Sequence, residues 1–213
     1  MILRPRTFSA AQKAVKGSSN QEENDQNIAA AAQAIKDDLN LMPADKRLEN
    51  ITQFLSATFN KNAQASPRLS FKLISNIFEY AHDGAERDTI IPYIAEKLDA
   101  WQNKRNPPVF LILDNCLHFS HHALGPDHKD NAEKIAAIWD RAMQAAIVVD
   151  PAKCYKKMKD AVDQSYRAGE HSTPLYFTAR KWWLAKQAEI RLEQNYLDLL
   201  PTFPPVGDFL HSS

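Results

Sequence analysis

Apolar residues recur at intervals of three and four along most of the chain, the spacing that lines one face of an α-helix. The first such stretch is the Ala-rich run Ile28 to Ile35, preceded by Asp25, and Pro43-Ala44-Asp45 opens a second in which Leu48, Ile51, Phe54, Leu55 and Phe59 keep helical register. Ser66-Pro67 is an N-cap residue followed by proline at the first helical position, where its missing N–H costs nothing; Leu69, Leu73, Ile74, Ile77 and Phe78 then share a face. Gly84 ends that helix. Ile90, Tyr93, Ile94, Leu98 and Trp101 form the next stripe, stopped by Asn106-Pro107-Pro108, and a helix from Val109 to His122 follows.

After the breaker Gly125-Pro126-Asp127, Ile135, Ile138, Trp139, Met143 and Ile147 define a helix ending before Asp150-Pro151. Pro151 opens a basic helix through Tyr166, and Ser172-Thr173-Pro174 starts a long one carrying Phe177, Trp182, Trp183, Ala188 and Leu192. The pattern predicts an all-α chain of about eight helices joined by short loops, with no repeat of fixed period, arranged as a right-handed superhelical stack or an irregular bundle. Only 5 glycines serve 213 residues, which leaves few sites for tight β-turns and favours the same class.

Gly17 to Asp25 is polar and rich in helix breakers, so the expected organisation is a flexible N-terminal arm over 1–27, one helical domain over 28–196 and a Pro-rich tail over 197–213. The arm carries Arg4, Arg6, Lys13 and Lys16 and no acid through residue 21, a composition shared by transit peptides and plain basic tails. Lys plus Arg equals Asp plus Glu at 26 each, so no overall field draws the protein to nucleic acid or an anionic membrane. The longest strongly apolar run, Val109 to Leu113, falls far short of the roughly 20 residues a membrane span needs. Cys116 and Cys154 sit in helical apolar stretches without metal-finger spacing and are expected to be buried thiols in a reduced, intracellular setting.

Catalytic constellations are missing from the pattern: no nucleophile elbow, no glycine-rich phosphate loop, and no cofactor signature, so no cofactor is expected. Asp114, His118, His121 and His122 fall along one helical stripe and would suit a metal, yet no complementary Glu/His pair stands on another helix. His82-Asp83 spells a metallohydrolase dipeptide but is preceded by no histidine. Arg180-Lys181-Trp182-Trp183 with Lys186 mixes bases and aromatics, although tryptophans at helical spacing are more often core. Lys153, Lys156, Lys157 and Lys159 form a dense positive run, either a solvated face or a rim for phosphate or acidic peptide.

The run Pro108-Val109-Phe110-Leu111-Ile112-Leu113-Asp114-Asn115 resembles the fourth helix of the CTD-interacting domain, and Ile90-Ile91-Pro92-Tyr93-Ile94 with Lys97-Leu98 falls in register with that family's third helix. The resemblance extends over residues 46–190 and is specific around these two runs. It implies an eight-helix right-handed superhelix, nuclear, that binds the phosphorylated tail of RNA polymerase II in a groove built from the second, fourth and seventh helices. By that resemblance Asp114 would hydrogen-bond the peptide at its turn, Lys159 and Lys156 would favour phosphate, and Arg68 would be a weaker contact. Departures from the family pattern are Asn115 for serine, His118 and Phe119 for Lys-Asn, and Val162 for tryptophan. VHS and ENTH superhelices of membrane traffic share this periodicity; on that alternative the basic arm would meet lipid headgroups.

Overall fold

The computed structural model describes residues 3–56, 65–79, 81, 84–123, 128–167 and 173–198. Among them the chain forms α1 (Pro5–Lys16), α2 (Gln21–Asn40), α3 (Ala44–Leu55), α4 (Pro67–Glu79), α5 (Gly84–Gln102), α6 (Val109–Ser120), α7 (Lys129–Val149), α8 (Pro151–Arg167) and α9 (Pro174–Asp198), and no strand. Proline opens four of these nine helices, at Pro5, Pro67, Pro151 and Pro174. Thr173 completes the last of these starts, its hydroxyl accepting from the Tyr176 N–H at 3.2 Å. His82-Asp83 and the Pro-rich segment from residue 199 lie outside the described residues, whereas 197 and 198 continue α9.

α2 packs between α1 and α4 at one end, and α3 lies on α5. α7 is the central element, touching α5, α6, α8 and α9; α8 and α9 pair at the other end. The largest buried side chains are Trp139 of α7, Phe54, Phe71, Phe78 and Phe119, each removed from water by convergence of at least two helices. Burial of each contributes about 1.5–3 kcal/mol, which makes the amphipathic stripes the main stabilising feature.

Over residues 3–27 the expected loose arm is instead α1 and the first turns of α2. Ala11 and Val15 are fully buried, and Phe8 meets Phe54 with ring centroids 5.3 Å apart. The polar stretch that reads as a linker is a helix start: the Asn20 side chain accepts from Glu22 N–H at 2.9 Å and Glu23 N–H at 3.3 Å, and both glutamates complement the helix dipole. Asn24 fastens the turn from inside, donating to Ser18 O at 2.9 Å and accepting from Ser18 N–H at 2.6 Å. Gly17 makes the reversal with φ +76°, and a Cβ there would stand 2.5 Å from Leu69 Cδ1.

Asp38 of α2 secures the other end of α1. Its carboxylate, buried between the helices, accepts from the Arg4 backbone N–H at 3.0 Å and the Thr7 hydroxyl at 2.7 Å, and it pairs with the Arg4 guanidinium. An acid on a neighbouring helix therefore caps α1 and neutralises its first base. Burial drives the Asp38 carboxyl upward, but the bonds from Arg4 and Thr7 outweigh it and hold the group below the ordinary aspartate value.

Candidate functional site

The solvent-facing stripe of α6 and the lysine-bearing face of α8 are brought side by side because α7 packs behind both. α6 buries Ile112, Leu113, Cys116, Leu117 and Phe119 on one side. The same periodicity turns Asp114 and His118 outward and leaves Phe110, Leu111 and Asn115 half-buried. α8 buries Cys154, Met158 and Ala161 and presents its lysines around the rest of its circumference.

Two side-chain rungs cross from α8 to α6. The Lys153 ammonium lies over the Phe110 ring, 4.1 Å from its centroid, and Lys157 forms an ion pair with Asp114. Both rungs join positions four apart on each helix, so they repeat at about 6 Å along parallel axes. The Lys157 side chain is 23% exposed and Asp114 51%, which makes the lysine the fixed member and the carboxylate the accessible one. At the foot of α8 the Asp150 carboxylate accepts from the Lys153 N–H at 3.0 Å, starting the helix in a defined register.

Of the four residues singled out from sequence, Asp114 stands in this face, where its ion-pair partner is Lys157, a lysine not among the four. Lys156 and Lys159 are exposed, turned from Lys157 by about 100° and 200° around α8. They extend the positive surface without facing Asp114. Arg68 is exposed in the first turn of α4, with Asp25 among the charges it influences, at the α1–α2 end of the molecule. The far end of α4, not Arg68, approaches α6: Phe78 meets Phe119 edge-on at 5.8 Å, about 15 Å along the helix from Arg68. Sequence spacing could have shown that Lys153 and Lys157 share a stripe; which α6 residues they meet depends on packing across α7.

The histidine stripe is used in packing. The His122 ring lies 4.6 Å from Phe78 and 5.7 Å from His118, which in turn meets Phe119 at 4.7 Å, while the Arg87 guanidinium sits 5.6 Å over the Phe78 ring. Burial lowers the affinity of His118 for a proton against an upward pull from Glu79; burial, His118 and Arg87 lower that of His122. Among the described residues no group of three or more His, Cys, Asp or Glu could hold a metal ion. His128 pairs with Asp88 at 2.6 Å, joining the start of α7 to α5. Cys116 and Cys154 are free thiols, both fully buried, and burial raises both above the ordinary cysteine value, which keeps them as inert thiols.

The adjacent tryptophans of α9 straddle that helix. Trp182 donates to Asp140 Oδ1 of α7 at 2.7 Å, and Trp183 stacks on Tyr155 of α8 with centroids 4.9 Å apart. Gln187 adds a bond to the Tyr155 hydroxyl at 3.1 Å. These contacts brace α9 against α7 and α8. A cleft of about 220 Å³ lined by Asp140, Gln144, Lys181, Trp182 and Ala185 lies where α9 leaves α7. No helix among the described residues is long and apolar enough to cross a membrane.

Compared with known proteins, no family model matches the chain, and neither a curated protein nor a solved structure does.

Proposed function

We propose that this protein is a peptide-binding module that takes an extended acidic or phosphorylated segment of a partner protein along the α6–α8 face. The observation that carries the reading is the pair of rungs, Lys153 on Phe110 and Lys157 on Asp114, whose lysines stand one helical turn, about 6 Å, apart along α8 beside an exposed helical stripe. An extended peptide advances roughly 3.3 Å per residue, so anions two residues apart would meet the two lysines in step. Leu111, Asn115 and the Phe110 ring supply half-buried surface between them, and Lys156 and Lys159 widen the positive field that steers an anionic segment toward it.

The phosphorylated repeat of the RNA polymerase II tail is the first ligand to try, because the Pro108 to Asn115 run resembles the CTD-interacting domain in that part of the molecule. Under that reading the protein works in the nucleus, in transcription or RNA processing. Fluorescence polarisation with a two-repeat tail peptide, plain and serine-phosphorylated, tests it. Lys153→Gln with Lys157→Gln should weaken binding of the phosphorylated form about tenfold or more and flatten its salt dependence. Absence of binding by either peptide would remove the transcription reading.

One observation favours a trafficking adaptor instead: Arg6, Lys13 and Lys16 are exposed on α1, a helix with no acid. Co-sedimentation with vesicles containing anionic lipid, lost in Lys13→Gln with Lys16→Gln and kept in the α8 variants, would decide for it.

A further inference from the structure

The geometry points to Asp114 as a built-in occupant of the ligand's anion position, one that makes the α6–α8 face select phosphate over carboxylate. This rests on the peptide-binding reading above and reverses the role that the family resemblance gives the residue. In that resemblance the aspartate is a contact the peptide gains; here its carboxylate is already spent on the half-buried Lys157.

Asp114 and a peptide anion compete for the same ammonium. Lys157 offers an ammonium on a side chain that is only 23% exposed, carried on α8 beside buried Cys154, Met158 and Ala161. Any peptide anion approaching it meets Asp114 first, tethered on α6 and so present at a high effective concentration. A glutamate or aspartate from the peptide would exchange one carboxylate for another, leave Asp114 unneutralised beside it, and gain little. A phosphoryl group carries a charge of about −1.5 to −2 and three acceptor oxygens, so it can hold Lys157 and Lys153 together and outcompete a monovalent carboxylate. Phe110 keeps Lys153 over its ring, close enough for the same phosphate to draw it across. Asp114 itself is exposed and has room to swing into solvent once displaced.

The test uses the full chain and two fluorescent peptides, the doubly phosphorylated repeat and the same sequence with glutamate at each phosphoserine. The wild type should prefer the phosphorylated peptide by about tenfold or more. Asp114→Asn should tighten both, the glutamate peptide by about three- to tenfold and the phosphorylated one by less, so that the preference narrows. Asp163→Asn on α8 makes the same change in net charge without touching Lys157, and it should move either affinity by less than about twofold. Weaker or unchanged binding by Asp114→Asn, equal tightening of the two peptides, or the same response from Asp163→Asn would each overturn the placeholder role while leaving a peptide-binding protein. Failure of every form to bind either peptide would overturn the underlying reading and this inference with it.

Discussion

Two basic helices, α1 with Arg6, Lys13 and Lys16 and with Arg4 at its N-cap, and α8 with Lys153, Lys156, Lys157 and Lys159, look alike in sequence and are treated in opposite ways by the fold. The acid that meets α1 is Asp38, whose side chain is 2% exposed and which also accepts a backbone N–H and the Thr7 hydroxyl. The acid that meets α8 is Asp114, half exposed and bound to one ammonium. A buried carboxylate with several donors is part of the structure, because removing it strands polar groups away from water. An exposed carboxylate with one donor can be exchanged for another anion at small cost. Composition marks both helices as basic, and burial of the opposing acid separates the structural one from the surface one.

The largest expected effect comes from breaking the α1 side. Asp38→Ala should lower stability by about 2–3 kcal/mol in urea denaturation, since it leaves the Arg4 N–H and Thr7 hydroxyl unmet and uncaps α1. The same residue gives a pH signature. Its folded pKa is depressed, so its contribution is fully present above the unfolded aspartate value of about 3.9 and is lost as pH falls through the lower folded value. The gap between wild type and Asp38→Ala should therefore be constant from neutral pH to about 5 and close below about 4. A gap that persists undiminished at pH 2 would assign the loss to packing rather than to the charge.

Gly17→Ala ranks next, at about 1–2 kcal/mol. The left-handed φ disfavours any side chain, and the new Cβ would press on Leu69, so the α1–α4 junction must shift. The junction also holds the Ser66 N–H to Val15 O bond at 2.8 Å, and faster hydrogen exchange at Ser66 in the variant would locate the damage there. Unchanged stability would mean that the turn can relax and that α1 is less firmly docked than its burial indicates.

Most helix starts were legible because they rest on local chemistry. Ser66-Pro67, Pro151 and Thr173-Pro174 name their own positions, and the apolar stripes of α4 and α7 fill the core they predict. The failure at residues 17–25 has a definite physical cause. Asn20, Glu22, Glu23 and Asn24 have the composition of a linker and the positions of a cap, and only the Gly17 turn and the cover provided by α2 and α4 distinguish the two. The candidate face was legible in part. Asp114 could be picked out by its resemblance to a motif and the lysine run by its density, but the pairing with Lys157 depends on how α7 sets α6 against α8, which no local pattern encodes. The choice of Lys159 as a phosphate contact followed a family alignment, and the helical angle sets it on another side of α8 from Lys157.

The smallest expected effect completes the comparison on the α8 side. Asp114→Asn should change stability by less than about 0.5 kcal/mol at physiological salt, because the pair it breaks is half exposed and Lys157 can rehydrate. Raising the salt to about 1 M should erase even that difference, since the screening length then falls to about 3 Å. Asp38→Ala should keep most of its cost under the same salt, because its lost bonds lie between packed helices where ions do not enter. A salt-independent loss of 2 kcal/mol or so in Asp114→Asn would put that residue in the same class as Asp38 and make it a strut between α6 and α8. A near-zero value leaves Asp114 free to be traded for a ligand's anion, as the binding experiment requires.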